Sequence, residues 1–429
     1  MTKELKNKII FTALILIIIQ LISNIPAYGI NKEVVSTFLN SETGSALSFF
    51  SMFSGNAFYQ MSMFVLGISP YISASIILQL LRAAIPSFDE LAKDGKAGEK
   101  LYKRLNYIAA EILAIFQTIP IVIGFGNYGL LIENTTKYKI IISILIILGS
   151  TILMFLGNLI DKKGIGQGIS LILLINILSR IPNDITTIIN KFIINKPIWS
   201  QILTIFITFI IIVATIIIVL YLQDGERRIK TQYASQLKGQ KALKSNKSNY
   251  IPLKVNISNV MPIIFTTSVF QCYILITTFL NVSIDSIFRK ISNLFNTSNW
   301  FNIDSPINTL GYIIYIALIF LFGFFYSEVA FDTEKITKNL KESDGVIIGI
   351  RPGKETEQYL NKELKKTTTI GCIGLIIVAT IPILISAIFN IPNLAFGGTS
   401  IIIIVGIILD TYKAIKSEKL EQSNDSFLF

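Results

Sequence analysis

About ten runs of apolar residues, each close to the roughly 20 residues that a helix needs to cross a hydrocarbon layer, constrain this chain more than any other feature. They occupy residues 9–25, 63–81, 105–126, 140–160, 165–181, 199–222, 257–280, 306–330, 367–390 and 394–412. Backbone polar groups cannot stay unpaired in lipid, so each run is predicted to be helical. With 52% hydrophobic and only 15% charged residues, the composition predicts an all-α integral membrane protein and argues against a soluble domain.

Lysine and arginine are distributed unevenly between the two sides that ten crossings would define. Of the 38 basic residues, 30 lie at the two termini or in connections on the same side, and 8 lie on the other side. Basic residues accumulate in cytoplasmic loops. The asymmetry therefore predicts cytoplasmic termini, long cytoplasmic loops at 223–254 and 331–366, and a multi-pass protein of the cell (plasma) membrane. A plastid membrane is the less favoured alternative.

The residue inventory argues against most catalytic chemistry. The chain has no histidine and only two cysteines, which rules out Ser-His-Asp triads, HExxH zinc sites and histidine proton relays. It also lacks a GxxxxGK[ST] phosphate-binding loop. We therefore predict a protein that is not an enzyme and needs no cofactor or metal. A multi-spanning secondary transporter of small solutes remains the alternative function, although such proteins normally carry ionisable residues near the midplane.

Ten spans divide into two sets of five, and a repeat with an odd number of spans inserts in the opposite orientation. This predicts two inverted five-helix halves, residues 1–195 and 196–429. The second span of each half contains a proline, Pro70 or Pro262, which permits a bend. Between the first two spans, residues 45–58 are apolar but too short to cross, so they form either an outer lid or a re-entrant piece.

Six stretches, in the same order along the chain, resemble the SecY family of protein-conducting channels. They are GISPYISASIILQLL at 67–81, GIGQGISL at 164–171, ERRI at 226–229 with QYA at 232–234, PLKVN at 252–256 with PIIF at 262–265, NLK at 339–341 with GIRPGKET at 349–356, and GGTS at 397–400 with DT at 410–411. They are spread between residues 67 and 411, so the resemblance runs over nearly the whole chain. The resemblance implies ten transmembrane helices around a central pore that conducts unfolded polypeptides and releases transmembrane segments sideways into lipid.

The resemblance also implies roles for particular residues. A ring of aliphatic side chains would close the pore, because a narrow hydrophobic constriction loses its water and blocks ions. The implied ring consists of Ile68, Ile72, Ile169, Leu173, Ile264 and Ile403. Within it, Ile68 with Ile72 and Ile169 with Leu173 are spaced i, i+4, which places each pair on one helix face. Residues 45–58 resemble the short plug helix of the family, interrupted by Ser54, Gly55 and Asn56.

Two further sets of residues follow from the resemblance. A lateral gate between spans two and three and spans seven and eight would include Gln79, Gln167, Thr266 and Thr267. Docking of a ribosome or a SecA motor would involve Arg227, Arg228, Lys230, Arg351 and Lys354 on the two basic loops, because guanidinium and ammonium groups suit RNA phosphates and acidic protein surfaces. The implied partners also include SecE-like and SecG-like small membrane subunits, signal peptides, nascent chains and the lipid bilayer.

Overall fold

The structure is a computed structural model, and it describes residues 3–31, 34–35, 54–85, 87–88, 90, 95–192, 197–233, 250–279, 286–301, 306–389 and 398–425. The helices of the N-terminal part are α1 (Lys3–Ser23), α2 (Asn56–Tyr59), α3 (Ser69–Ala84), α4 (Gly95–Asn127), α5 (Thr136–Lys163) and α6 (Gly168–Phe192). Those of the C-terminal part are α7 (Ile198–Asp224), α8 (Met261–Phe279), α9 (Ile287–Phe295), α10 (Thr309–Ala330), α11 (Thr333–Glu342), α12 (Lys354–Phe389) and α13 (Gly398–Asp425). Three short strands are β1 (Glu226–Tyr233), β2 (Tyr250–Lys254) and β3 (Gly345–Ile347).

Each of the ten apolar runs overlaps one long helix: α1, α3, α4, α5, α6, α7, α8, α10, α12 or α13. Among the residues that the structure describes, six helical stretches are long and apolar enough to cross a membrane by length and composition alone. Two more helices in the described part of the chain, Gly168–Asn183 and Met261–Ile274, are apolar but only 10–17 residues long. The chain is therefore a helical protein with several membrane-spanning candidates.

Helix boundaries differ from the apolar runs where backbone geometry or polar helix extensions intervene. The second run begins at residue 63, yet α3 begins at Ser69, because Met61 and Gly67 have left-handed φ angles of 49° and 55°. Pro70 lies in the first turn of α3, and Pro262 is the second residue of α8. Both prolines therefore occupy first-turn positions, where the missing N–H costs no helical hydrogen bond.

The described parts of the two long basic loops are joined to each other by a small sheet. Strand β1 pairs antiparallel with β2 and, through residues 231–233, antiparallel with β3, so the sheet order is β2-β1-β3. Ile229, Ile347 and Leu360 bury a small apolar cluster between this sheet and α12. Helix α12 begins at Lys354, well before the apolar run that starts at residue 367. Its first, polar part therefore extends beyond the apolar run, and the sheet packs against this part.

The two sets of five long helices make the same principal contacts. In the first set, α3 packs on α4, α4 on α5, α5 on α6, and α1 on both α5 and α6. In the second set, α8 packs on α10, α10 on α12, α12 on α13, and α7 on both α12 and α13. The sets meet mainly where α8 contacts α3 and α4, and where α6 contacts α13. One apolar cluster draws buried residues from every long helix except α4.

Candidate pore, plug and gate

A cavity of about 460 Å³ lies between helices of the two sets. Its polar wall includes Tyr71, Ser75, Lys103, Asp161, Gln167, Ser170, Asn259 and Asp410. The charged groups come from helix positions near the basic loops, so this part of the cavity lies toward the side predicted to be cytoplasmic. Its apolar wall consists mainly of isoleucine, leucine, valine and methionine side chains.

All six residues of the predicted ring line this cavity. Ile68 and Ile403 are 0% exposed, and Ile72, Leu173 and Ile264 are also buried. Five of the six belong to the large apolar cluster, and Ile169 packs against it. They converge from the start of α3, from α6, from α8 and from α13, so residues separated by more than 330 positions in sequence meet at one place.

Local geometry explains why these side chains point inward together. Ile68 is the N-cap residue of α3, and its carbonyl accepts a hydrogen bond from the Ile72 N–H at 3.1 Å. The start of α6 is fixed by Asp161, whose Oδ1 accepts a hydrogen bond from the Gly168 N–H at 2.6 Å. Gly168 also lies against the backbone of Gly157 on α5, where any Cβ would collide. The tight α5–α6 crossing thus sets the position of Ile169 one residue later.

Of the segment predicted as a plug, residues 45–53 lie outside the described residues, and only its last part can be placed. Gly55 has a left-handed φ of 63°, and a Cβ there would lie 2.6 Å from the Ser179 Oγ of α6. Asn56 donates its backbone N–H to the same Oγ at 3.1 Å. Its side chain bonds to Asn24 at 2.6 Å and to Asn183 at 3.3 Å. This segment is therefore attached to α1 and α6.

The four residues predicted for the gate make hydrogen bonds close to their own positions in sequence. The Gln79 Nε2 donates to the Ser75 Oγ at 3.1 Å, and the Gln167 Oε1 accepts from the Ser170 Oγ at 3.2 Å. The hydroxyls of Thr266 and Thr267, which are both buried, donate to carbonyls one turn earlier in α8. Gln167 faces the cavity, whereas Gln79 lies on α3, one of the helices that contact α8.

Sequence reasoning missed two buried glutamines, one on α4 and one on α8, two of the helices that contact each other between the two sets. Gln117 on α4 donates to the Ser73 Oγ of α3 at 3.5 Å, and its Oε1 has no hydrogen-bond partner among the described residues. Gln271 on α8 is buried, and neither of its amide atoms has a hydrogen-bond partner there. Both residues sit inside long apolar runs, and a polar residue in a span is the signal that could have identified them.

All five predicted docking residues are exposed, and one of them, Arg227, is also anchored. The Arg227 Nη1 lies 2.6 Å from the Oε2 of Glu363, a buried carboxylate on α12 that also pairs with Lys366 at 3.0 Å. Arg228 stacks over the Tyr250 ring at 4.9 Å, and a hydrogen bond to Glu226 raises its pKa above the ordinary value, so it stays charged. Lys230, Arg351 and Lys354 are exposed.

Comparison with known proteins places the chain in a family. A family model described as SecY matches residues 62–412. The protein translocase subunit SecY of Staphylococcus epidermidis is 33% identical over 435 residues, covering 99% of this chain and 97% of the relative. The SecY of Buchnera aphidicola subsp. Schizaphis graminum is 34% identical over 431 residues, covering 100% and 95%.

Solved structures agree with this at the level of the fold. One described as a protein conducting channel superposes with a TM-score of 0.69 at 19% identity and covers 98% of this chain and 94% of its own. Sec61 in a canine ribosome-channel complex gives a TM-score of 0.66 at 20% identity, with 98% and 94% covered. The family model, the full-length relatives and the shared helical architecture together show that this chain belongs to the SecY family.

Proposed function

We propose that the chain forms the pore of a Sec-type protein translocase and conducts unfolded polypeptides through the cavity between its two sets of helices. Its relatives are protein translocase subunits and its structural neighbours are protein-conducting channels, not enzymes. The observation that carries the assignment is the convergence of six aliphatic side chains from four parts of the chain on one cavity. In this proposal they form the seal that an unfolded polypeptide must part.

The ring suits this task because it is bulky, uncharged and built from separate helices. A narrow hydrophobic constriction excludes water and ions without any charged group. Isoleucine and leucine side chains can also close around a threading chain of any composition, because they make no directional bonds. The polar wall on the cytoplasmic side would keep the waiting polypeptide hydrated up to the constriction.

We further propose that all ten long helices cross the membrane, in two inverted halves at 1–195 and 196–429. The matching helix contacts of the two sets support this division, as do the prolines in the first turns of α3 and α8. The contact surface of α8 with α3 and α4 would be the lateral gate. The contact between α6 and α13 would be the hinge. Residues 45–58 would form the plug, held at its end by Asn56.

The exposed cations near the membrane surface, which are Arg228, Lys230, Arg351 and Lys354, would contact a ribosome or a SecA-like motor. Arg227 would instead fix the root of the loop to α12. Structural neighbours described as Sec61 in a ribosome-channel complex and an Ssh1 complex bound to the yeast 80S ribosome support a ribosome partner. We also propose that the chain assembles with SecE-like and SecG-like subunits in the plasma membrane, with both termini in the cytoplasm.

The rival function, secondary transport of small solutes, gains no support from the cavity. Of its charged residues, Asp161 lies in the last turn of α5, Lys103 lies in the polar first part of α4, and Asp410 accepts a hydrogen bond from Asn259, which lies just before α8. Ion-coupled transporters hold their ionisable groups near the midplane. The six residues that would occupy the midplane here are all aliphatic.

Planar-bilayer conductance of the reconstituted protein tests the seal. Replacing Ile68, Ile72 and Ile264 with serine puts three hydroxyls into the constriction, so water enters and the conductance without substrate should rise at least several-fold. The control replaces Ile202, Ile205 and Ile210 of α7, which are 56%, 57% and 47% exposed, with serine. Its conductance should match the unmodified protein. An unchanged current in the variant with serine at the three ring positions would contradict the ring assignment.

A further inference from the structure

A short amphipathic helix, α9, connects the end of α8 to the start of α10, and none of the roles described so far involves it. Its sequence is IFRKISNLF. Ile287, Phe288, Ile291, Leu294 and Phe295 recur at helical spacing and form one apolar face. Arg289, Lys290 and Asn293 form the opposite face. The helix begins at a capped end, where the Ser286 Oγ accepts a hydrogen bond from the Arg289 N–H.

The C-terminal half of α9 is fixed to α8. The Ser292 Oγ and the Thr277 Oγ1 are hydrogen-bonded at 2.9 Å, and both side chains are buried. Phe295 stacks on Phe270 with ring centroids 4.4 Å apart and an interplanar angle of 7°. The Trp300 Nε1 donates to the Leu294 carbonyl at 2.7 Å. These contacts hold α9 in a defined orientation on its neighbours.

The apolar side chains of the first turn of α9, in contrast, are exposed, although the Phe288 carbonyl accepts a hydrogen bond from the Tyr273 hydroxyl of α8 at 3.2 Å. Ile287 is 73% exposed and Phe288 is 61% exposed, although both belong to the apolar face. Beside them, Lys290 is exposed and Arg289 is half-buried. Within the part of the chain that the structure describes, neither cation forms an ion pair. Two large apolar side chains next to two unpaired cations match the boundary between acyl chains and phosphate groups.

The position of α9 also indicates that its partner is the lipid bilayer. It lies at the end of α8 opposite the basic sheet, between two helices with exposed apolar side chains such as Ile276 and Ile313. The exposed first turn therefore continues a surface that lipid already covers in the proposed membrane orientation. We propose that α9 is an interfacial anchor that inserts Ile287 and Phe288 into the outer leaflet and binds phospholipid headgroups through Arg289 and Lys290. Because α9 is bonded to α8, the anchor restrains the outer end of that helix.

Site-directed spin labelling in vesicles tests this proposal, with Cys272 replaced by serine and the buried Cys372 retained. A nitroxide on Phe288→Cys should collide readily with oxygen and rarely with a water-soluble nickel chelate. The matched control is Asn293→Cys on the polar face of the same helix, which is exposed and should show the reverse. A third label, Ile313→Cys on α10, reports whether the neighbouring helix faces lipid.

The charged part of the anchor is tested by lipid composition. Replacing Arg289 and Lys290 with glutamine should reduce the insertion depth of the Phe288→Cys label in phosphatidylglycerol vesicles. The same replacement should have a smaller effect in phosphatidylcholine vesicles, because the electrostatic attraction is then weaker. Equal effects in the two lipids would contradict the proposed contact between these cations and the headgroups.

Two outcomes would overturn the insertion itself. A nickel-accessible label at 288 would place the first turn in water. A label protected from both reagents would place it against protein, such as a second copy of the chain. If the Ile313→Cys label were also nickel-accessible, the membrane orientation proposed above would fail together with the anchor. If only the α9 labels failed, the channel assignment would be untouched.

Discussion

The ion pair between Arg227 and Glu363 predicts that two neighbouring arginines of one loop contribute very differently to stability. Glu363 is a buried carboxylate with a side-chain exposure of 4%, whereas Arg227 is 47% exposed. Removing one partner of a fully buried pair costs about 3–5 kcal/mol, because the other charge stays uncompensated. Exposed pairs contribute about 0–1 kcal/mol.

Since Arg227 is half in water and Lys366 remains beside Glu363 at 3.0 Å, the loss in Arg227→Ala should fall between these limits, at about 1–3 kcal/mol. The matched control is Arg228→Ala. Arg228 pairs with Glu226 at 2.7 Å, but its side chain is 64% exposed. We expect that replacement to have little effect on the free energy of unfolding, because water screens an exposed pair.

The assay is a double-mutant cycle on the detergent-solubilised protein, which compares Arg227→Ala, Glu363→Gln and the double variant by denaturant unfolding. Direct contact predicts a coupling energy of about 1–2 kcal/mol between the two positions. The same cycle with Arg228 and Glu363 should give none. Equal losses for the two arginines, or no coupling between Arg227 and Glu363, would refute the view that Arg227 anchors the loop.

Three further predictions concern the proposed plug, the proposed gate and helix α11. Gly55→Ala should destabilise the plug and raise the idle conductance, because it adds a steric collision with α6 to the roughly 1–3 kcal/mol of placing alanine at φ 63°, ψ −137°; Gly349→Ala, at φ 84° with open space around it, should leave the conductance unchanged. Gln271→Leu should stabilise the closed protein by about 1–3 kcal/mol by removing two buried, unpaired polar atoms, and should slow membrane insertion of weakly apolar segments, whereas faster insertion would contradict the gate assignment. Asp332→Ala should cost about 0.5–2 kcal/mol in thermal or denaturant unfolding, because it removes the 2.9 Å cap on the Lys335 N–H, while Asp332→Asn should retain most of the stability.

The helical class and the approximate positions of the long helices could be predicted from the sequence, because membrane crossing imposes length and apolarity on each segment separately. Helix ends could not, since they depend on particular backbone angles such as that of Gly67. The convergence of Ile68 with Ile403 rests on packing between distant helices, and only the family resemblance brought these residues together in advance.

Partnerships across the chain were the least predictable part. Glu363 reads as one more charge on a cytoplasmic segment, and nothing in the loop sequence indicates that it binds Arg227. Asn24, Asn56 and Asn183 likewise look like unremarkable polar residues near helix ends, yet they bond to one another in the structure. Such contacts depend on tertiary geometry, which residue type and periodicity do not specify.

Photo-crosslinking of a stalled export substrate tests the central claim most directly. A crosslinker placed in turn at Ile72, Leu173, Ile264 and Ile403 should capture the translocating segment, because all four side chains line the cavity. The same crosslinker at Phe206 of α7, which is 63% exposed and outside that cavity, should capture lipid instead. Substrate captured at Phe206 and absent from the four cavity positions would contradict the account.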